Sequence, residues 1–438
     1  MIRKTIIFLF YTYAAGSCLV ACTKHGSGLP LAPPADSSLV NTLHLDHLYT
    51  PVTFSDGSQA AGIYIYSNYP DYTNVEAQGE GFSCVDDVSR AALVYLRSKR
   101  FISDTATQSK LYHLIRFILE MQSSNGYFYN FLSANGQINT YGPTSIDNAN
   151  WWSWRALQAL SESAPLISNK NPALYGNVVA SMAKLVTQIK ADLVNLPETT
   201  TVINGVTIPQ WLPSGSGTDQ AATLILGLIE YCRITNDATM TSFIRKLADG
   251  MLLMQQGNST QFPYDAFLSW ENTWHGYGNL QAYSLMKASV FLNDPMYDSV
   301  AIREIDNFYP WLLQSGFECT FSVRGVSGVD QLISETAYPQ IAYGIEPMLF
   351  AASEAYSQTG NKKYADIGGH LAAWFLGANP ANINMYSTST GICFDGISSP
   401  GSVNQNSGGE STIEALLTME RVENYPAIKI ALNKYKKP

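Results

Sequence analysis

Apolar residues recur along this chain in two kinds of helical segment. In the first they cover every face: Val88, Ala91, Ala92 and Tyr95 fall at i, i+3, i+4 and i+7, and Leu93, Val94 and Leu96 fill the other faces. In the second they form a single stripe. Leu111, Leu114, Ile115 and Ile118 make one, with Lys110, Arg116 and Glu120 off it, and Val178, Met182, Leu185, Val186 and Ile189 make another. Stretches 241–255, 297–314 and 362–376 repeat the one-stripe pattern, and a short last helix is expected over 426–434. The two kinds alternate. An inner ring of helices wrapped by an outer ring, joined as helical hairpins in one domain with negligible parallel sheet, buries both patterns.

Each all-round apolar segment is introduced the same way, by a loop rich in Gly, Ser, Asn or aromatics that runs into an acid. The six acids are Asp87, Asp147, Asp219, Glu271, Glu335 and Glu410. They are spaced roughly 50–75 residues apart, enough for two helices and two loops. The part before them, from Leu43, reads as an irregular lead-in with one strand over 62–66. If the six segments form the inner ring, their N-termini open on one face, and acids far apart in sequence converge on one bowl. For any single acid the plain alternative is a helix cap. For Asp219, preceded by Gly-Thr and with no aromatic beside it, capping is the better reading.

Composition narrows the function classes. The 438 residues are 46% hydrophobic and 14% charged, which is globular composition. The net charge of −9 speaks against a nucleic-acid surface. With 26 Tyr, 18 Phe and 8 Trp there are aromatics to spare for a cleft, where sugar faces stack on rings. No zinc-ligand pair, phosphate loop or Gly-x-Ser-x-Gly is present, so no cofactor and no metal are expected. The expected partner is a carbohydrate substrate, and the chain is read as a monomer.

The first residues set the compartment. Arg3 and Lys4 precede an apolar run to Ala15, and Leu19-Val20-Ala21-Cys22 closes it. That is a secretory signal layout, and its ending resembles the lipobox of bacterial lipoproteins. The resemblance implies cleavage before Cys22, lipidation of its thiol and residence at the bacterial outer membrane. Residues 22–42 then serve as a flexible tether, and 43–438 as the folded domain. Four cysteines remain, Cys84, Cys232, Cys319 and Cys393, with no spacing that assigns pairs.

The alternating helices and the six acid-led segments resemble the six-hairpin glycosidase superfamily, whose fold is the all-α (α/α)6 toroid. A sharper local likeness lies at the C-terminal end. Gly377-Ala-Asn-Pro380 followed by Asn404-Gln-Asn-Ser-Gly-Gly-Glu410 is similar to glycoside hydrolase family nine, where a Gly-x-Asn-Pro segment precedes a catalytic Glu. Cys84-Val-Asp-Asp87 stands where that family has its aspartate-bearing loop, in different wording. The resemblance implies glycoside hydrolysis, which needs one protonated carboxyl for the leaving oxygen and a second carboxylate as base or nucleophile.

The leading catalytic pair is Asp86 or Asp87 with Glu410, and Glu271 with Glu335 is the competing pair. Arg90 is placed to hold Asp86 or Asp87 ionised. Asp147, Trp151, Trp152, Trp270, Trp274, His275, Tyr277, Tyr338 and Asn404 are the candidate substrate-binding residues. A polysaccharide lyase and a non-catalytic glycan-binding lipoprotein are the rival functions. The near absence of Lys and Arg in the six loops favours neutral sugars over uronates.

One expectation is testable without a substrate. Cys22→Ser should release the protein from the membrane or leave it unprocessed, read by fractionation. Unchanged membrane retention would overturn the lipobox assignment.

Overall fold

The computed structural model describes residues 38–99 and 103–437. Cys22, the expected lipidation residue, and most of the expected tether lie outside the described residues. Helix α1 (Leu43–Leu48) belongs to the lead-in. The even-numbered helices that follow, α2 (Val85–Arg97), α4 (Trp151–Lys170), α6 (Thr218–Thr235), α8 (Gln281–Leu292), α10 (Glu346–Thr359) and α12 (Gly409–Asn424), are the all-round apolar ones. They are buried along most of their length. The odd-numbered helices are α3 (Thr105–Glu120), α5 (Pro172–Ile189), α7 (Ala238–Leu252), α9 (Pro295–Ser315), α11 (Lys362–Ala372) and α13 (Pro426–Tyr435). Each buries one stripe; in α7 it is Met240, Phe243, Ile244, Leu247, Ala248 and Met251.

Neighbouring even helices pack in chain order, and α12 returns to α2, so the inner ring is closed. Each odd helix packs on the even helix before it. This is the (α/α)6 toroid, six hairpins in two concentric rings. Strands are short antiparallel hairpins and one three-stranded sheet among the described residues. The lead-in departs from expectation. Instead of one strand over 62–66 there are two, Gln59–Ile63 and Tyr66–Asn68, which pair with different partners.

The two kinds of helix also start differently. Five outer helices begin on Asx caps: Asp104, Asp237, Asp294 and Asn361 each accept an amide two residues on, and Asn171 one three residues on, which satisfies a free N–H of the first turn. Helices α6, α8, α10 and α12 have no side-chain cap at the N-cap position, and α2 is capped by the Cys84 thiol. Most inner-ring acids sit inside the first turn, where the chain does not need them as caps. All four described cysteines are buried free thiols.

Outside the bowl, the most buried acid is Glu304 of α9. Its Oε1 accepts the Phe267 amide at 2.9 Å, and burial pushes its carboxyl up to about 8. A carboxyl raised in the folded state contributes stability that is complete below its unfolded value and lost as pH rises through the folded one. Wild-type protein should therefore lose stability relative to Glu304→Gln between about pH 4.5 and pH 8, and little more above. Chemical denaturation of both proteins across that range checks the sign; a constant difference would show that Glu304 does not titrate there.

Candidate active site

The start of α12 is held unusually close to its surroundings, and Gly408-Gly409 is the reason. A Cβ on Gly408 would lie 2.1 Å from the Ile65 carbonyl oxygen, and one on Gly409 would lie 2.9 Å from Asp87 Oδ2. The Gly409 amide donates to the Ile65 carbonyl at 3.0 Å. Asp395 accepts the Gly408 amide at 2.8 Å and the Ser411 hydroxyl at 2.7 Å, fixing the first turn from the other side. Glu410 is thereby delivered against the first turn of α2.

Between the two helices lies Arg90, whose side chain is 2% exposed. Its Nη2 donates to Asp86 Oδ2 at 2.6 Å and Asp87 Oδ1 at 2.8 Å and lies 3.3 Å from Glu410 Oε2, and its Nη1 pairs with Glu414. Arg155 of α4 stands behind, with Nε 3.7 Å from Asp86 Oδ1 and Nη2 bonded to the Tyr343 hydroxyl. The Tyr343 ring lies under both guanidiniums, at 4.9 Å from Arg90 and 5.3 Å from Arg155. Glu346 closes the floor.

Acids outnumber bases in this floor, and the surplus appears as raised carboxyls. Burial lifts Glu410 to about 7; Arg90 opposes the shift, while Asp87, Glu414 and Asp86 add to it. Burial likewise lifts Asp87 to about 6 against the pull of Arg90, and Glu346 to about 8 with help from the charge of Glu414. Glu410 is nonetheless within reach of solvent, since 42% of its side chain is exposed against 5% for Asp87. Asp86, Asp87 and Glu410 have oxygens close enough to bracket a cation. The cation they bracket is the Arg90 guanidinium, which supplies the counter-charge a metal would bring.

A second pair forms at the start of α6. Asp219 Oδ1 accepts the Gln220 amide at 2.6 Å, and its Oδ2 lies 2.9 Å from His275 Nε2. Gly217, not Asp219, holds the N-cap position of α6, so Asp219 is not the cap its sequence context suggests; inside the first turn it accepts the next amide and partners a histidine. The His275 ring is 5.5 Å from that of Tyr277, whose hydroxyl is raised by burial, by the Cys319 thiol and by the charge of Glu410.

Other candidates fall elsewhere. Glu271 does not start a helix; it occupies a tight turn at φ 50°, closed by reciprocal bonds between Trp270 and Thr273, ten residues before α8. Glu335 lies exposed in the strand Val329–Thr336, paired opposite Phe321, and the inner-helix acid of that hairpin is Glu346. The β-branched runs either side of Ser327-Gly328, both at positive φ, are a hairpin signal that outweighs the helix reading. Asp147 precedes α4 in the approach loop, and Asn150 takes the N-cap position.

Among the aromatics, Trp152 donates to the Phe128 carbonyl from within the core. Trp274, 1% exposed, stacks on Phe321. Neither ring is available to a ligand. Asn404 is exposed in a peripheral strand. Trp151, Tyr277 and Tyr338 are half-buried, and Trp270 is 44% exposed with its Nε1 on the Ser214 carbonyl. Tyr66, unread in the sequence, is pushed up to about 12 by burial and by the charges of Glu80, Asp87 and Asp395. A groove of about 630 Å³ lies on the outer ring between α3 and α5, near Arg116, Asn177 and Lys184, away from these groups.

No family model matches this chain, and no curated protein matches it in sequence. Its fold does match solved structures. A sugar epimerase from a ruminal bacterium superposes with a TM-score of 0.61 at 11% identity, over 89% of this chain and 96% of that one. Cellobiose 2-epimerase from Bacillus thermoamylovorans B4167 gives 0.57 at 13%, over 83% and 92%. A metagenome-derived glycoside hydrolase family 9 endoglucanase gives 0.50 at 12%, over 85% and 74%. At these identities the likeness establishes the six-hairpin fold.

Removing Arg90 should show what it holds. Arg90→Gln leaves buried carboxylates facing one another and should cost about 3–5 kcal/mol. Because the carboxyls can escape by taking up protons, the deficit should be larger at pH 8 than at pH 5. Denaturation at the two pH values measures it, and a deficit independent of pH would mean that Arg90 acts through packing alone.

Proposed function

We propose that this chain is a carbohydrate-active enzyme that hydrolyses a glycosidic bond between neutral sugars. Glu410 is the general acid and Asp86 the second carboxylate. The observation that carries this reading is the pairing of a reachable, proton-retaining Glu410 with a guanidinium-held Asp86 across one cleft. Half-buried and exposed rings, Trp151, Tyr277 and Tyr66, offer stacking surfaces around it. The fold neighbours, which by name act on sugars, agree with the substrate class. Arg90 is taken up by four carboxylates and Arg155 is buried with its Nη2 on Tyr343, which speaks against a uronate site and a lyase. We assign the protein to the bacterial envelope, anchored by lipid on Cys22.

A second reading rests on the Asp219–His275 pair. A carboxylate holding an imidazole at 2.9 Å is a general-base arrangement, and it would suit proton exchange at a sugar carbon, as in an epimerase.

One set of assays separates the readings. Under the hydrolase reading, neutral oligosaccharides are cleaved, and activity falls as pH rises through about 7, where Glu410 loses its proton. Glu410→Gln should lower kcat by about 10²–10⁴-fold with the fold intact. Deuterium uptake into an uncleaved sugar in heavy water, abolished by His275→Gln, would give the epimerase. Unsaturated products from uronates would give the lyase, and tight binding without turnover a binding protein.

A further inference from the structure

We infer that the turn at Trp270-Glu271 is a second sugar subsite, where one ring of a neutral glycan chain stacks on the indole while another part of the chain meets the α2–α12 acids. What happens at the acids rests on the hydrolase reading; the substrate class, an oligosaccharide or polysaccharide rather than a single sugar, is added to it. Trp270 is the most exposed of the eight tryptophans, at 44%. The other seven are buried or half-buried. The bond from its Nε1 to the Ser214 carbonyl, at 3.3 Å, occupies the nitrogen and leaves the rings in contact with water.

This exposed ring is held in place. Trp270 and Thr273 exchange backbone bonds at 3.1 and 3.0 Å, and the Glu271 amide donates to Ser216 Oγ at 2.9 Å. From the other side the Val323 amide donates to the Asn272 carbonyl at 2.9 Å, and Asn272 Nδ2 to the Val323 carbonyl at 2.8 Å. A ring ordered before its ligand arrives loses little freedom on binding. The turn also stands at the face where the inner helices start. The Thr218 amide, at the start of α6, donates to the Ser269 carbonyl at 2.9 Å, and Ser269 Oγ accepts the His275 amide at 3.1 Å.

The chemistry beside the ring suits a sugar. Glu271 is half-buried, its carboxyl is raised by burial alone, and no Lys or Arg pairs with it among the described residues. It offers an acceptor to hydroxyls and nothing to an anionic sugar. A pyranose is apolar on its faces and polar at its edge, which matches a stacking face with an acceptor next to it. One ring is no cage for a quaternary ammonium. Position then makes the ligand a chain. Helix α6 lies across the closed inner ring from α12. Packed helix axes stand about 8–10 Å apart, so opposite members of a ring of six stand roughly 16–20 Å apart. A ligand that meets both Trp270 and Glu410 crosses the ring, which calls for several sugars.

The test uses the full wild-type chain and N-bromosuccinimide, which oxidises exposed indoles. The probes are tetrasaccharides and monosaccharides of glucose, xylose, mannose and arabinose. A tetrasaccharide should shield Trp270, read as the mass of its peptide, and the matching monosaccharide should not. Trp270→Ala should lower kcat/KM for that tetrasaccharide by about tenfold, with Trp270→Phe close to wild type. Turnover of the matching 4-nitrophenyl monoglycoside, too short to reach Trp270 from the acids, should stay unchanged. Oxidation of Trp270 at one rate with every sugar overturns the subsite, as does shielding by tetramethylammonium and by no sugar. Equal losses toward the tetrasaccharide and the monoglycoside overturn the substrate class. Cleavage of a tetrasaccharide as fast by Trp270→Ala as by wild type overturns the subsite and leaves the hydrolase reading in place. Shielding by a tetrasaccharide that is never cleaved overturns the hydrolase reading and leaves the subsite. The shielding result needs only wild-type protein, so it decides even if Trp270→Ala does not fold.

Discussion

The Arg90 guanidinium is the clasp of the toroid. Helices α2 and α12 are the first and last of the inner ring, and the ring closes where they meet. At that seam a single buried cation reaches Asp86 and Asp87 on one helix and Glu410 and Glu414 on the other. A buried guanidinium is tolerable only when its donors are satisfied, and buried carboxylates only when they are paired. Each side of the seam therefore requires the other. Closing the ring and assembling the site are one event.

That coupling explains why the acids cluster at one end. Each hairpin runs inward along an inner helix and back along an outer one, so all six inner N-termini share a face. Outer helices spend their Asx residues on their own amides. Inner helices start within a packed ring whose first turns face the bowl, and their acids are free to meet partners from other hairpins: Arg90 for Glu410, and His275 for Asp219. The positive ends of the inner helix dipoles add a common bias toward negative charge at this face.

Architecture was legible because burial leaves a periodic trace. All-round and one-stripe helices differ in every turn, so both rings and their order follow from the apolar pattern. Asp87, Asp219 and Glu410 were legible for the same reason, each standing in the first turn of such a helix. Glu271 and Glu335 misled because acid-bearing turns and hairpins also precede helices, and the hairpin before α10 carries its own β-branched pattern. Glu346 carried a usable sign, Pro347 in the first turn of an apolar helix. Glu414 and Arg155 carried a fainter one, a charge placed one turn into a helix with no exposed face. Tyr343 lies in a single helical turn and Tyr66 in a three-residue strand, both too short for a spacing to mark.

The division of labour among the carboxyls follows from counting protons on one nitrogen. Arg90 Nη2 carries two hydrogens, yet three carboxylates approach it, at 2.6, 2.8 and 3.3 Å. The two shorter contacts take the hydrogens. Burial raises Glu410, the third, most; its attraction to Arg90 opposes this, and the repulsion of three neighbouring acids adds to it, so its carboxyl is held up to about 7. Exposure divides the remaining two. Asp87, sealed under Gly409, can only brace Arg90, while Asp86 faces the cleft. A donor, a charged partner and a brace thus arise from three chemically similar side chains, separated by which of them wins a hydrogen bond and which of them meets solvent.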